Sequence, residues 1–156
     1  MARARPQRGT NGGPGIVSQE YEMVPVDALE PHPQNVNRGD VEAIIESIRH
    51  NRFYGAVTAQ KSSSRILAGK HRWLAARECG LQVIPTIWAD VDDAEALRIM
   101  LADNRTTRLG MDDPAALADL LQSLPDLAGT GFDGDALQDS WMIWLRTQPP
   151  WTTPPS

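Results

Sequence analysis

The residues best equipped for chemistry stand together at Gly69-Lys70-His71-Arg72. They follow a short apolar run, Arg65-Ile66-Leu67-Ala68, that reads as a buried strand. An Ala-rich run suited to a helix, Trp73 to Cys79, comes after them, with Gly80 placed to end it. A glycine turn that opens a helix directs free backbone N–H groups and the positive end of the helix dipole at one point in space. Such a point attracts an anion, and a phosphate fits it best. Lys70 and Arg72 add full charges there, and His71 adds an imidazole, a side-chain type whose unperturbed pKa lies near neutral pH. First helical turns favour acidic residues, so three cationic or donor residues in that place imply a compensating partner. A second cluster is Asp103-Asn104-Arg105. Asp103 and Asn104 offer oxygen ligands suited to Mg²⁺, which commonly uses one or two protein groups plus substrate phosphates. Asn104 and Arg105 are candidates for the phosphate oxygens themselves. Bland readings compete with both: a strand–turn–helix whose charges face water, and a frayed helix end with Asn near its cap.

Other chemistries find little to stand on. His32, His50, His71 and Cys79 are too scattered for a zinc site. Neither GxSxG nor GxxxxGK[ST] occurs. Hydrophobic residues at 41% and charged residues at 22% suit one soluble globular domain, and no apolar run reaches the roughly 18 residues of a membrane span. A net charge of −5 argues against a broad nucleic-acid surface but permits a local basic patch. The single cysteine fits a reducing cytosol, and a cytoplasmic location is expected, the host cytoplasm if the gene is carried by a phage.

The elements that must position these groups can be read in order. Residues 1–20 are polar and Gly/Pro-rich, with Arg3, Arg5 and Arg8, and read as a disordered arm. Tyr21 to Val26 alternates as a strand, with Pro25 marking an edge or an end, and a Pro-rich loop runs to Asn35. Asp40 caps a helix whose Val41, Ile44, Ile45 and Ile48 share a buried face. Ala56–Gln60 and Arg65–Ala68 form a hairpin, and Leu81–Trp88 is a strand placed near an edge by Pro85. A helix beginning at Asp92 turns Leu97, Met100 and Leu101 inward and ends near Asp103–Arg105. Another begins at Asp113-Pro114 with Leu117, Leu120, Leu121 and Leu124 on one face. A last helix carries Leu137, Trp141, Trp144 and Leu145, and residues 147–156 form a disordered tail. The fold class is α+β: a small mixed sheet with packed helices over residues 21–110, then a helical extension over 111–146.

These residues carry a resemblance. Gly69-Lys70-His71-Arg72-Trp73-Leu74-Ala75-Ala76 resembles the G-E-R-R-x-x-A-A box of the ParB/sulfiredoxin superfamily, including its ParB-like nuclease domains. Val24 to Leu29 with Pro31-His32-Pro33-Gln34-Asn35 is similar to that family's opening strand and loop, and Asp103-Asn104-Arg105 to its later E-N-x-x-R box. The resemblance implies a nucleotide or nucleic-acid phosphate at the strand–helix turn. Partition proteins of the family bind and hydrolyse CTP with Mg²⁺. By position, Gly69 and Arg72 then form the phosphate pair, and Asp103 and Asn104 the metal or triphosphate pair. Lys70 departs from the Glu of partition proteins and from the catalytic Cys of sulfiredoxin, so sulfinic-acid reduction is excluded. Gly55-Ala56 stands where the family usually has Gln-Pro. The residues after 110 are too few for the helix-turn-helix and dimerisation domains of partition proteins, so operator binding is not expected.

Three functions follow as expectations. One is a metal-dependent DNA nuclease, with Lys70 and Arg72 stabilising charge on a phosphodiester and His71 as general acid or base. The second is a non-catalytic module holding CTP, ATP or a DNA backbone, with the C-terminal helices and Trp151 docking a protein partner or a second copy. The third is a CTPase or small-molecule kinase of the same superfamily, with Glu30 or His71 as base.

Overall fold

Val57, Ala59 and Ile66 are wholly buried and Leu67 nearly so, which marks the Val57–Ala68 hairpin as the centre of the molecule. The computed structural model describes residues 15–35, 39–110 and 112–135, together with 138, 139, 142 and 146. The strands are β1 (Gln19–Pro25), β2 (Glu30–Pro31), β3 (Val57–Gln60), β4 (Arg65–Ala68) and β5 (Val83–Ala89). The helices are α1 (Val41–Asn51), α2 (Lys70–Glu78), α3 (Asp93–Leu109) and α4 (Pro114–Ser123), with a 3₁₀ turn at Val26–Ala28. The strands form one sheet in the order β1-β5-β3-β4-β2. β1–β5 and β3–β4 pair antiparallel, β3–β5 and β2–β4 parallel. The fold is therefore the expected α+β arrangement on a small mixed sheet.

Ile66 and Leu67 are neighbours on β4, so they point to opposite faces of the sheet. Ile66 joins a cluster with Val57, Trp73 and Ala76, while Leu67 joins one with Ala89, Val91 and Ala96. Hence α2 covers one face and the first turns of α3 the other. Gln60, buried in the turn region, is fully occupied: its Nε2 donates to the Val91 carbonyl at 3.1 Å and to Asp93 Oδ1 at 3.0 Å, and its Oε1 accepts from Ser63. It ties the hairpin to the start of α3.

Pro85 lies near an edge as expected, on β5, which is paired between the outer strand β1 and β3. The ladder to β3 begins at Thr86, one residue later, so no β3 carbonyl needs an N–H from Pro85. Three expectations need correction. The helix containing Asp103–Arg105 does not end there but runs to Leu109, with Gly110 as its cap. Thr106 and Thr107, poor helix formers on paper, bond back to the Ala102 and Asp103 carbonyls and stay within the helix. Its buried residues are Ala96 and Met100, and Leu101 is exposed. On α4 the inward pair is Ala118 and Leu121, whereas Leu120 and Leu124 are exposed. The apolar residues of the last expected helix (Leu137, Trp141, Trp144, Leu145), the three arginines of the arm, and Trp151 lie outside the described residues. Among those described, no helix is long and apolar enough to cross a membrane.

Candidate functional site

β4 ends at Ala68 and α2 begins at Lys70, so Gly69 alone must reverse the chain. It does so with φ +90°, and a Cβ there would sit 3.4 Å from Val57 Cγ2 and 3.5 Å from Val57 Cα. That left-handed backbone against a neighbouring strand suits glycine only. The consequence is a helix whose first residue has no side-chain cap. α1, α3 and α4 each begin with an aspartate that accepts from backbone N–H groups: Asp40 from Ala43, Asp92 from Glu95, and Asp113 from Ala115 and Ala116. In α2 neither a cap nor an acidic residue in the first turn neutralises the dipole. Its far end, in contrast, is closed. Gly80 N–H donates to the Arg77 carbonyl and Leu81 N–H to that of Ala76, both at 3.0 Å, the paired bonds of a Schellman motif. Trp73 fixes the helix to the sheet, donating from Nε1 to the Val26 carbonyl at 2.8 Å, with the Arg77 guanidinium 4.8 Å over its ring.

The open end of α2 faces a cavity of about 610 Å³. Leu67 to Arg72 form one wall, and Ile44, Ser47 and Ile48 of α1 form another. Arg52, Phe53, Tyr54 and Ala56 line it after α1, Asn35 from the Pro-rich loop, and Asp103, Asn104 and Thr107 from α3. Thr130 and Gly131, beyond α4, complete it. The structure thus brings Gly69, Lys70, His71, Arg72, Asp103 and Asn104 to one place. Arg105 is not among the lining residues. Positions 103, 104 and 107 share a helical face, and 105 is turned some 100° from 104.

Lys70 and Arg72 are half-buried, and among the described residues neither has a carboxylate partner. Arg72 lies 5.9 Å from the Tyr54 ring centroid, and a Cβ on Gly55 would fall 2.9 Å from its Nη1. The absence of a side chain at Gly55 is what admits the guanidinium. His71 packs its ring on the backbone of Gly39, where a Cβ would lie 2.9 Å from Nδ1. Asn104 Nδ2 donates to Asn35 Oδ1 at 3.3 Å. Among the described lining residues, Arg52, Lys70 and Arg72 face one carboxylate, Asp103. No group of three or more His, Cys, Asp or Glu side chains that could cage a metal occurs among the described residues.

Several lining residues escaped the sequence reading. Ile44 and Ile48 have core spacing, yet they are half-buried and line the cavity, leaving Ile45 as the buried residue of α1. Thr107 follows from the unbroken α3. Thr130 and Gly131 arrive because the loop after α4 is tethered to α1: Asn51 Nδ2 donates to the Gly129 carbonyl at 2.8 Å, and Gly129 N–H donates to Glu46 Oε1 at 3.3 Å. No local pattern signals contacts of that sequence separation. Arg52 carried a weak signal only, as the residue after a helix-ending Asn.

An uncapped helix start carrying Lys70 and Arg72 opens on a cavity beside the mixed sheet of an α+β domain, an arrangement suited to an anion. Residues 13–105 match the family described as the ParB N-terminal domain, and the chain belongs to that family. Among characterised relatives, it is 28% identical over 89 residues to the chromosome-partitioning protein ParB of Caulobacter vibrioides (strain NA1000 / CB15N), covering 51% of this chain and 29% of that protein. It is 26% identical over 109 residues to that of Myxococcus xanthus (strain DK1622), covering 64% and 36%. The chain therefore spans about a third of the length of these relatives. The fold is similar to that of the C-terminally truncated ParB of Caulobacter crescentus complexed with CTP-γ-S, with TM-score 0.63 and 21% identity over 81% of this chain and 79% of that one.

Proposed function

We propose that the cavity binds a nucleoside triphosphate, with CTP the leading ligand. The observation that carries this reading is the meeting of Lys70 and Arg72, at an uncapped helix start, with Asp103 and Asn104 across one cavity. Phosphates suit the first pair through charge and backbone N–H groups. The apolar side chains of Ile44, Ile48 and Phe53 suit a nucleobase rather than the backbone of duplex DNA. CTP takes precedence because the CTP-γ-S complex of the Caulobacter protein shares this fold. Lys70, Arg72 and the N–H groups of α2 bind the phosphates, and Asn104, held by Asn35, presents its amide beside them.

One hard carboxylate fits Mg²⁺ only as a shared site, so Asp103 is the residue that would hold the ion together with ligand phosphates. Bound there, the ion would supply charge neutralisation between phosphate oxygens. A nuclease built on paired metals has less support, since such sites draw on several carboxylates. We assign binding, not turnover, as the main activity: Lys70 replaces the acidic residue of the family box. A nucleotide ligand implies a cytosolic setting.

A thermal-shift screen of CTP, ATP, GTP, UTP and a short DNA duplex, each with and without Mg²⁺, tests the reading. CTP at 100 times its dissociation constant should stabilise the chain by about 2.7 kcal/mol, and Arg72→Ala should remove that shift. Stabilisation by DNA alone, or by no nucleotide, would sink the proposal.

A further inference from the structure

α1 ends at Asn51, and the next residue takes a backbone that side chains avoid. Arg52 has φ 66° and ψ 172°, a region occupied almost exclusively by glycine. The one other described non-glycine residue with positive φ, Ser64, sits in the β3–β4 turn, where its N–H donates to the Gln60 carbonyl. Arg52 has no such turn to explain it. Its conformation is imposed from both sides: Asn51 is tied to Gly129 by a 2.8 Å hydrogen bond, and Phe53 packs against the main core cluster. Ending a helix would need only glycine here, without strain.

What glycine lacks is the guanidinium, and Arg52, an exposed residue, is among those lining the cavity. Among the described residues no carboxylate engages it. We infer that Arg52 is a ligand-contacting residue: its strained backbone delivers a third cation to the bound phosphates from the wall formed after α1, separate from Lys70 and Arg72 on α2. The inference rests on the nucleotide reading above and extends it. A planar fork of N–H donors matches phosphate oxygens in pairs, which a lysine cannot do. The competing role is a solvated arginine favoured only by the C-terminal dipole of α1. That role predicts no effect on a ligand.

The two are separated by measuring melting temperature without nucleotide and CTP affinity by calorimetry, in the full chain and in Arg52→Gly, Arg52→Ala, Arg52→Lys and Arg72→Ala. Arg52→Gly should melt higher than the parent, because the strain is relieved, yet bind CTP about tenfold or more weakly. Arg52→Ala should lose the same affinity without the gain in melting temperature, and Arg52→Lys should lose less. If Arg52→Gly and Arg52→Ala bind as the parent does while Arg72→Ala does not, Arg52 has no ligand role and the nucleotide reading stands. If Arg52→Gly melts at or below the parent, the strain argument fails. Absence of CTP binding by the parent chain overturns both.

Discussion

Arg72 reaches the cavity through two glycines. Gly69 turns the chain so that α2 starts at the right place, and Gly55 leaves the space that the guanidinium fills. Gly69→Ala should therefore cost stability by itself: a left-handed alanine carries about 1–2 kcal/mol, read as a lower urea midpoint at unchanged slope. A midpoint equal to the parent's would mean the turn relaxes freely, and the argument for an obligatory glycine would fail. The two glycines were not equally legible. Gly69 stands between an apolar run and an Ala-rich run, where only a turn fits. Gly55 lies in a loop, and its purpose depends on a side chain seventeen positions away in sequence. Arg52 was less legible still, since nothing in an arginine's chemistry announces a positive φ.

Capping separates the helices by use. The aspartates that open α1, α3 and α4 stabilise each start by about 1 kcal/mol, whereas α2 forgoes that gain and leaves its first turn open to the cavity. Such caps are visible in sequence, and all three were. The C-terminal reach of α3 was not, because Asn104, Thr106 and Thr107 look like terminators until their side-chain bonds are seen. Its extension keeps Asp103, Asn104 and Thr107 on one rigid face toward the cavity. The loop after α4 is held in a looser way, by Asn51 and Glu46. Asn51→Ala should free it: limited proteolysis should cut between residues 124 and 135 faster, while global stability falls by no more than about 1 kcal/mol. Unchanged cleavage would show that other contacts hold this segment.

Across the whole molecule, charge is unevenly distributed. The chain is acidic at −5, yet the cavity at the start of α2 gathers three cations against one carboxylate among the described residues. The fold class and the hairpin at its centre were readable because β3, β4 and α2 are consecutive and each obeys its own period. The two-residue β2 was not, since Glu30–Pro31 becomes a strand only by lying alongside Arg65 and Ile66. The same contrast between near and distant partners governs β1. Among the described residues it pairs with β5 alone, Gln19 opposite Ala89 and Pro25 opposite Val83, across most of the domain's sequence. Closing so long a loop is entropically expensive, and the reward comes last. β3, β4 and α2, by contrast, follow one another directly in the chain. Native-state hydrogen exchange in dilute denaturant should accordingly find β1 opening at lower free energy than β3 and β4. Equal protection would make the sheet one cooperative unit. On that ordering β3 and β4 hold together longest, and β1 is the strand that parts first.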